Sequence, residues 1–338
     1  DRRRDYLALT VNTTSEGVLP ALQFLTRYVL EAKFSGADVE RARERVLKRR
    51  DIWLSSLVEP TEDLLVRAMW NGSAGTALYG EAESLGAIQL ADVERFQATV
   101  VSRGNTWLSL VGTGDKATAR EEAEQALATL PESAAMLSQP RLGLGGQVVV
   151  EDNALLDRAS LAVGAPLPPF GTREHWAGWL VREMLAGPRG RLYQDRLLAA
   201  RMGLALPSNL SWEQWPIIAL PIQLGRYPYL AVYTLCYPPR VEVAREGILR
   251  HLADIGEERF GADEIELARC RVVNQWAREL AAPRDRAKLL ALAAMLETTL
   301  PSPDEVHATV SDIEPHEVAE VARSVVRRAS VGIQMPRS

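Results

Sequence analysis

Tyr6-Leu7-Ala8-Leu9 recurs as Tyr229-Leu230-Ala231-Val232, an offset of 223 residues. At the same offset Leu25, Arg27 and Val29 fall on Ile248, Arg250 and Leu252. Gly36-Ala37-Asp38 matches Gly261-Ala262-Asp263 at an offset of 225, and Ala42-Arg43-Glu44-Arg45-Val46 matches Ala268-Arg269-Cys270-Arg271-Val272 at 226. Ile88, Val93, Phe96, Val100, Val101 and Arg103 then align with Ile313, Val318, Val321, Val325, Val326 and Arg328, all at 225. Matches in one order at nearly one offset predict two diverged copies of a single structural unit. Residues 133–146, rich in Ser, Gly and Pro, read as the linker between a first half, 1–132, and a second half, 147–338. On this register the first half is N-terminally incomplete and lacks roughly 80 residues of the repeated unit.

Within each copy the apolar spacing gives the elements. Leu7, Leu9 and Val11 alternate with Ala8 and Thr10, the period of a half-buried strand, and Leu230, Val232 and Thr234 repeat it. Val18, Leu22, Leu25 and Val29 step by four, three and four, which places them on one helix face. A second helix is expected from Asp38, read as its cap, with a counterpart after Asp263. Pro60 and Pro283 mark further helix starts, where a missing N–H costs nothing. Each copy closes with a helix and a strand: Asp92 to Val101 then Trp107 to Val111, and Glu314 to Arg327 then Ser330 to Gln334. Strands combined with long helices predict an α+β fold of two tandem α/β sandwich halves.

Composition excludes several classes of function. The 39 Lys and Arg against 44 Asp and Glu leave a net charge of −5, with no broad positive field for nucleic acid. The apolar run Ala287 to Leu296 is broken by Lys288 and is shorter than the ~20 residues a membrane span needs, so no transmembrane segment is expected. Cys236 and Cys270 are too few for a disulfide framework, and both read as buried thiols. Gly187, Gly190 and Gly203 lack the strand-turn-helix context of a nucleotide loop. Glu314, His316, Glu317 and Glu320 read as a charged first helical turn rather than a metal cluster. Trp176 and Trp179 share a helix face, as core or as an interface anchor.

Three stretches resemble the pitrilysin or insulinase-type zinc peptidases and their non-catalytic relatives. Phe34-Ser35-Gly36-Ala37-Asp38-Val39-Glu40-Arg41 is similar to a helix entry of that family's first half, and Leu110-Val111-Gly112-Thr113-Gly114-Asp115 to its closing strand. Leu185-Ala186-Gly187-Pro188-Arg189-Gly190-Arg191-Leu192-Tyr193-Gln194 resembles the second half's glycine turn, Gly187 and Gly190, with the helix start after it. The resemblance implies tandem halves enclosing a chamber. It also implies a zinc site built on an H-x-x-E-H helix, whose two imidazoles bind the ion while the Glu acts as general base.

This chain departs from that pattern. Its histidines, His175, His251, His307 and His316, include no pair four apart, so the H-x-x-E-H segment is not in this sequence. The position the resemblance assigns to the third zinc ligand holds Arg49, and a guanidinium has no lone pair to give a cation. Glu44 stands five residues earlier, about 140° around the helix. The pair that would hold a peptide carbonyl is degenerate, with Ala199 and Leu206 where active members carry Arg and Tyr. Arg191, Arg196 and Arg201 remain as candidates to engage peptide.

The expectation is therefore a catalytically inactive pitrilysin-type subunit without a cofactor, structural or substrate-shaping. It would act beside a second, active pitrilysin-type subunit, as in a heterodimer, or inside a larger assembly. The alternatives are a working zinc metalloendopeptidase whose H-x-x-E-H helix precedes Asp1, and a core-type scaffold of a membrane-bound complex.

Overall fold

The computed structural model describes residues 4–30, 32–71, 75–112, 115–132, 141–143, 145–204, 214–220, 222, 225–226 and 228–337. The helices are α1 Val18–Leu30, α2 Gly36–Leu54, α3 Glu59–Met69, α4 Ala82–Ala87, α5 Leu90–Val100, α6 Lys116–Ala128 and α7 Arg173–Ala186. They continue with α8 Arg191–Gln194, α9 Arg196–Arg201, α10 Val241–Gly256, α11 Ala262–Ala281, α12 Pro283–Met295, α13 Pro303–Asp312 and α14 Pro315–Arg328. The strands are β1 Trp70–Asn71, β2 Arg141–Leu142, β3 Val148–Asn153, β4 Ala159–Pro166, β5 Ile217–Ala219, β6 Tyr229–Cys236 and β7 Ser330–Pro336. The architecture is α+β, as the spacing predicts.

The chain forms two compact units that do not follow chain order. Unit 1 takes Asp1–Asp51, Tyr79–Ser138 and Arg278–Leu300; unit 2 takes Ile52–Leu78, Gln139–Ala277 and Pro301–Ser338. Ile52–Leu78 and Arg278–Leu300 occupy nearly the same place in the repeat, one offset of about 225 residues apart. Each lies in the unit built mainly from the other half of the sequence, so α3 and α12 are exchanged.

Unit 2 holds a five-stranded sheet in the order β3-β7-β4-β6-β5, with β3 parallel to β7 and every other pair antiparallel. In β4, Ser160 and Gly164 face α3, where Thr61 and Leu65 meet them. Leu161, Val163 and Ala165 alternate to the other face, where α10 and α14 pack. With both faces covered, β4 and β6 read as almost continuous buried runs. Gly332 of β7 lets α3 approach closely: a Cβ there would stand 2.4 Å from the Leu65 nitrogen. A buried polar network crosses this contact. Thr61 Oγ1 lies 2.5 Å from Ser160 Oγ and donates to Gln334 Oε1 at 3.3 Å, and Tyr233 Oη lies 3.2 Å from Ser160 Oγ. Burial pushes the Tyr233 phenol up to about 12, against a smaller lowering by Ser160.

Beneath the sheet, α7 is buried along most of its length. Phe170, His175, Trp176, Trp179 and Trp276 form an aromatic cluster with centroids 5.3–6.4 Å apart. Trp176 and Trp179 are therefore core residues, 3% and 2% exposed.

Three local expectations are corrected. Leu7–Val11 and Trp107–Val111 form no ladder among the described residues, beyond an isolated bridge at Leu7, because a strand persists only where another strand satisfies its N–H and C=O groups. Ser35, not Asp38, caps α2. The Ser35 hydroxyl accepts the Asp38 N–H at 3.3 Å while Asp38 Oδ2 takes the Ser35 N–H at 2.9 Å, a reciprocal box. Cys270 is exposed, and only Cys236 is buried, its thiol pushed up to about 11 by desolvation.

Candidate functional site

In unit 1, α2 presents Arg49 and Glu44 to solvent. Its neighbouring cations are structural. Arg43 Nε donates to the Leu85 carbonyl at 3.0 Å and Arg50 Nε to that of Gly80 at 3.2 Å, tying α2 to the segment before α5. Among the described residues no group of three or more His, Cys, Asp or Glu is placed to hold a metal ion. The position that the resemblance assigns to a zinc ligand carries a permanent cation, and Glu44, five residues earlier on the same helix, lies about 140° away around its axis.

In unit 2, α7 ends at Gly187 and α8 starts after Gly190. The N–H groups of Arg189 and Gly190 both reach the Gly187 carbonyl, at 2.9 and 2.7 Å. Arg189 sits at φ 137°, a region side-chain-bearing residues rarely adopt, and a Cβ at Gly190 would meet the Gly187 nitrogen at 2.7 Å. Outside partners hold this strained turn: Arg271 of α11 donates to the Pro188 carbonyl at 3.0 Å, and Gln194 donates to that of Arg189.

The three candidate arginines have separate fates. Arg191, at the start of α8, grips Glu264 of α11 bidentately, Nε to Oε1 at 2.6 Å and a terminal nitrogen to Oε2 at 3.1 Å. Arg196 stacks its guanidinium 5.5 Å from the Trp215 ring centre, and the Trp215 indole donates to the Leu192 carbonyl at 3.0 Å. Arg201 lines an open cleft of about 230 Å³ with Ala200, Gly203, Arg240 and Val243. Neither Arg201 nor Arg240 makes an ion pair among the described residues, so this cleft offers two guanidiniums to an anion. Ala199 is 1% exposed and faces the core, and Leu206 lies outside the described residues.

Sequence reading missed Arg240, which no motif marks, and the pair of Asp195 with His251. Asp195 caps α9 by accepting the Leu198 N–H at 2.8 Å and meets His251 Nε2 at 2.9 Å. Burial works to raise the Asp195 carboxyl, but the Leu198 amide and His251 outweigh it and hold it below the usual carboxylate value. The acidic turn of α14 is also explained structurally. Glu317 accepts the Glu314 N–H at 2.7 Å and pairs with Arg173, which holds its carboxyl down at about 2 against the smaller opposing effect of burial.

The family model described as "Peptidase M16 inactive domain" matches residues 87–271, more than half of the chain. The chain belongs to this family. Its pitrilysin-type resemblance is thereby established, as a degenerate member. The solved structures similar to this M16 inactive-domain protein include a protease from Helicobacter pylori, 12% identical, with 96% of this chain and 78% of that chain covered at a TM-score of 0.73. A peptidase M16 inactive domain from Pseudomonas fluorescens is 15% identical, with 94% and 75% covered at 0.74. A chain of complex III2 from Candida albicans is 14% identical, with 95% and 78% covered at 0.73. At these identities the likeness establishes the fold. No curated protein matches the chain.

Proposed function

We propose that this M16 inactive-domain chain is a non-catalytic subunit that contributes its fold, and its arginine-lined cleft, to an assembly with a second pitrilysin-type chain or a larger complex. The observation that carries this reading is the exposed guanidinium of Arg49, which stands where the family resemblance calls for an anionic zinc ligand. The family model, which describes an inactive domain, supports it, as does the fold shared with a chain of a multisubunit complex. No helix among the described residues is long and apolar enough to cross a membrane.

Zinc content tests the reading. The protein is equilibrated with excess zinc, freed of loose metal by gel filtration and measured by elemental mass spectrometry. Substoichiometric zinc, unchanged in Arg49→Ala, is expected. One zinc per chain, lost on substituting a nearby acid such as Glu44→Gln, overturns the reading.

A further inference from the structure

The cleft where α9 meets α10 gathers positive charge that no described acid balances. Arg201 ends α9, Arg240 stands at the N-cap of α10, and both line the opening of about 230 Å³ together with Ala200, Gly203 and Val243. Arg240 also stands against the field of its own helix. Its side chain makes no cap hydrogen bond, and a cation beside the first turn meets the positive end of the helix dipole. Glu242, the acid of that turn, is engaged by Arg245 at 2.9 Å. Two guanidiniums and the N-terminus of a 16-residue helix therefore repel one another around one opening, an arrangement that an entering anion relieves.

The rim adds an aromatic ring. Tyr237 is 50% exposed and lies so close to Gly203 that a Cβ there would stand 2.3 Å from its Cδ2. Gly203 holds φ at 85°, and the Tyr237 N–H donates to the Met202 carbonyl at 3.2 Å, which ties the tyrosine to the end of α9. Arg158, from the loop between β3 and β4, places a third guanidinium 5.9 Å from the centre of the same ring.

We propose that this cleft binds a small phosphate monoester, with the phosphoryl group between Arg201 and Arg240 and the organic group against Tyr237. Charge decides between anions. A phosphate monoester carries roughly −1.5 to −2 at pH 7, which matches two cations and a helix N-terminus, whereas a carboxylate carries a single charge and leaves part of the field uncompensated. Each guanidinium fork can take one edge of the phosphoryl group through two parallel hydrogen bonds. The volume of the opening suits a small ester. The inference names a ligand for the cleft and does not rest on the absence of catalysis, so the zinc measurement above and the titration below can fail separately.

The test titrates the purified protein with phenyl phosphate, inorganic phosphate and benzoate at neutral pH by isothermal calorimetry. Phenyl phosphate is expected to saturate one site per chain. Arg201→Gln and Arg240→Gln are each expected to weaken it by about 10-fold or more, the worth of hydrogen bonds to a charged group. Arg95→Gln, at an exposed arginine of unit 1, is expected to leave it unchanged. Both cleft arginines are exposed, so the variants should keep the circular dichroism of the unsubstituted protein. Benzoate, with the same ring and one charge, and inorganic phosphate, with the same charge and no ring, are both expected to bind more weakly than the ester. Absence of saturable binding, or binding that survives the double substitution, overturns the proposal. Benzoate as tight as phenyl phosphate makes this a carboxylate site, and inorganic phosphate as tight as phenyl phosphate makes it a site for the free ion; either result also overturns it.

Discussion

His175 Nε2 accepts the indole N–H of Trp179 at 3.0 Å, while its Nδ1 lies 3.0 Å from the Pro168 carbonyl. The first contact requires a bare Nε2 and the second an N–H, so the pair fixes one neutral tautomer inside the aromatic cluster. Burial drives the imidazole down to about 4, against a smaller opposing effect of the Pro168 carbonyl. Protons therefore bind the unfolded chain first. Stability is full above about pH 6.5, and up to about 3 kcal/mol is lost as pH falls from there to about 4. Urea unfolding at pH 7 and pH 4.5 checks this. In His175→Phe that pH dependence is reduced, while the orphaned Trp179 N–H costs about 1–3 kcal/mol at neutral pH.

Gly332 sits under α3 with no room for a methyl group. Gly332→Ala is expected to lower stability by about 1–3 kcal/mol, because the displaced neighbours are helix backbone at Thr61 and Leu65 rather than flexible side-chain ends. Thermal unfolding followed by circular dichroism reads the loss. Gly36→Ala serves as the control, since a Cβ there meets nothing within 4 Å.

Arg191 acts as a strut between the glycine turn and α11. Arg191→Ala is expected to cost about 2 kcal/mol, the worth of a charge-assisted bidentate pair that is mostly shielded. Arg191→Lys restores only part, since an ammonium cannot reproduce the fork on Glu264. A double-mutant cycle with Glu264→Gln measures the coupling.

Thr61→Val keeps the shape of α3 but removes the hydroxyl that joins Ser160 and Gln334. A loss of about 1–3 kcal/mol is expected from leaving buried polar groups unpaired. The Tyr233 phenol, held near 12, loses stabilisation between about pH 10 and pH 12, where the unfolded chain releases its proton first. Tyrosinate absorption during an alkaline titration would show one tyrosine ionising only with unfolding.

Most helices were legible because their apolar residues carry the 3.6-residue period, and β6 because Leu230, Val232 and Thr234 recur at every second residue. The same alternation at Leu7, Leu9 and Val11 predicted a strand that does not form, since period 2 describes which side chains would be buried and says nothing about whether a partner strand is present. The exchange of α3 and α12 was not legible either. A helix's apolar face shows that it packs, not which half of the chain it packs against. Arg191 and Arg196 read as candidates to engage peptide, and their partners Glu264 and Trp215, 73 and 19 residues away, carry no local signal in the sequence. Asp195 and His251, 56 residues apart, share no motif. Arg49 is read as residue chemistry at the position that the resemblance assigns to a ligand, and the structure adds its exposure.

Peptide hydrolysis tests the central claim most directly. The purified protein, as its cell makes it, is incubated with zinc and a mixture of internally quenched peptides. Cleavage no faster than in buffer is expected, with or without a chelator. Zinc-dependent cleavage that 1,10-phenanthroline abolishes, by this polypeptide without a partner, would contradict it.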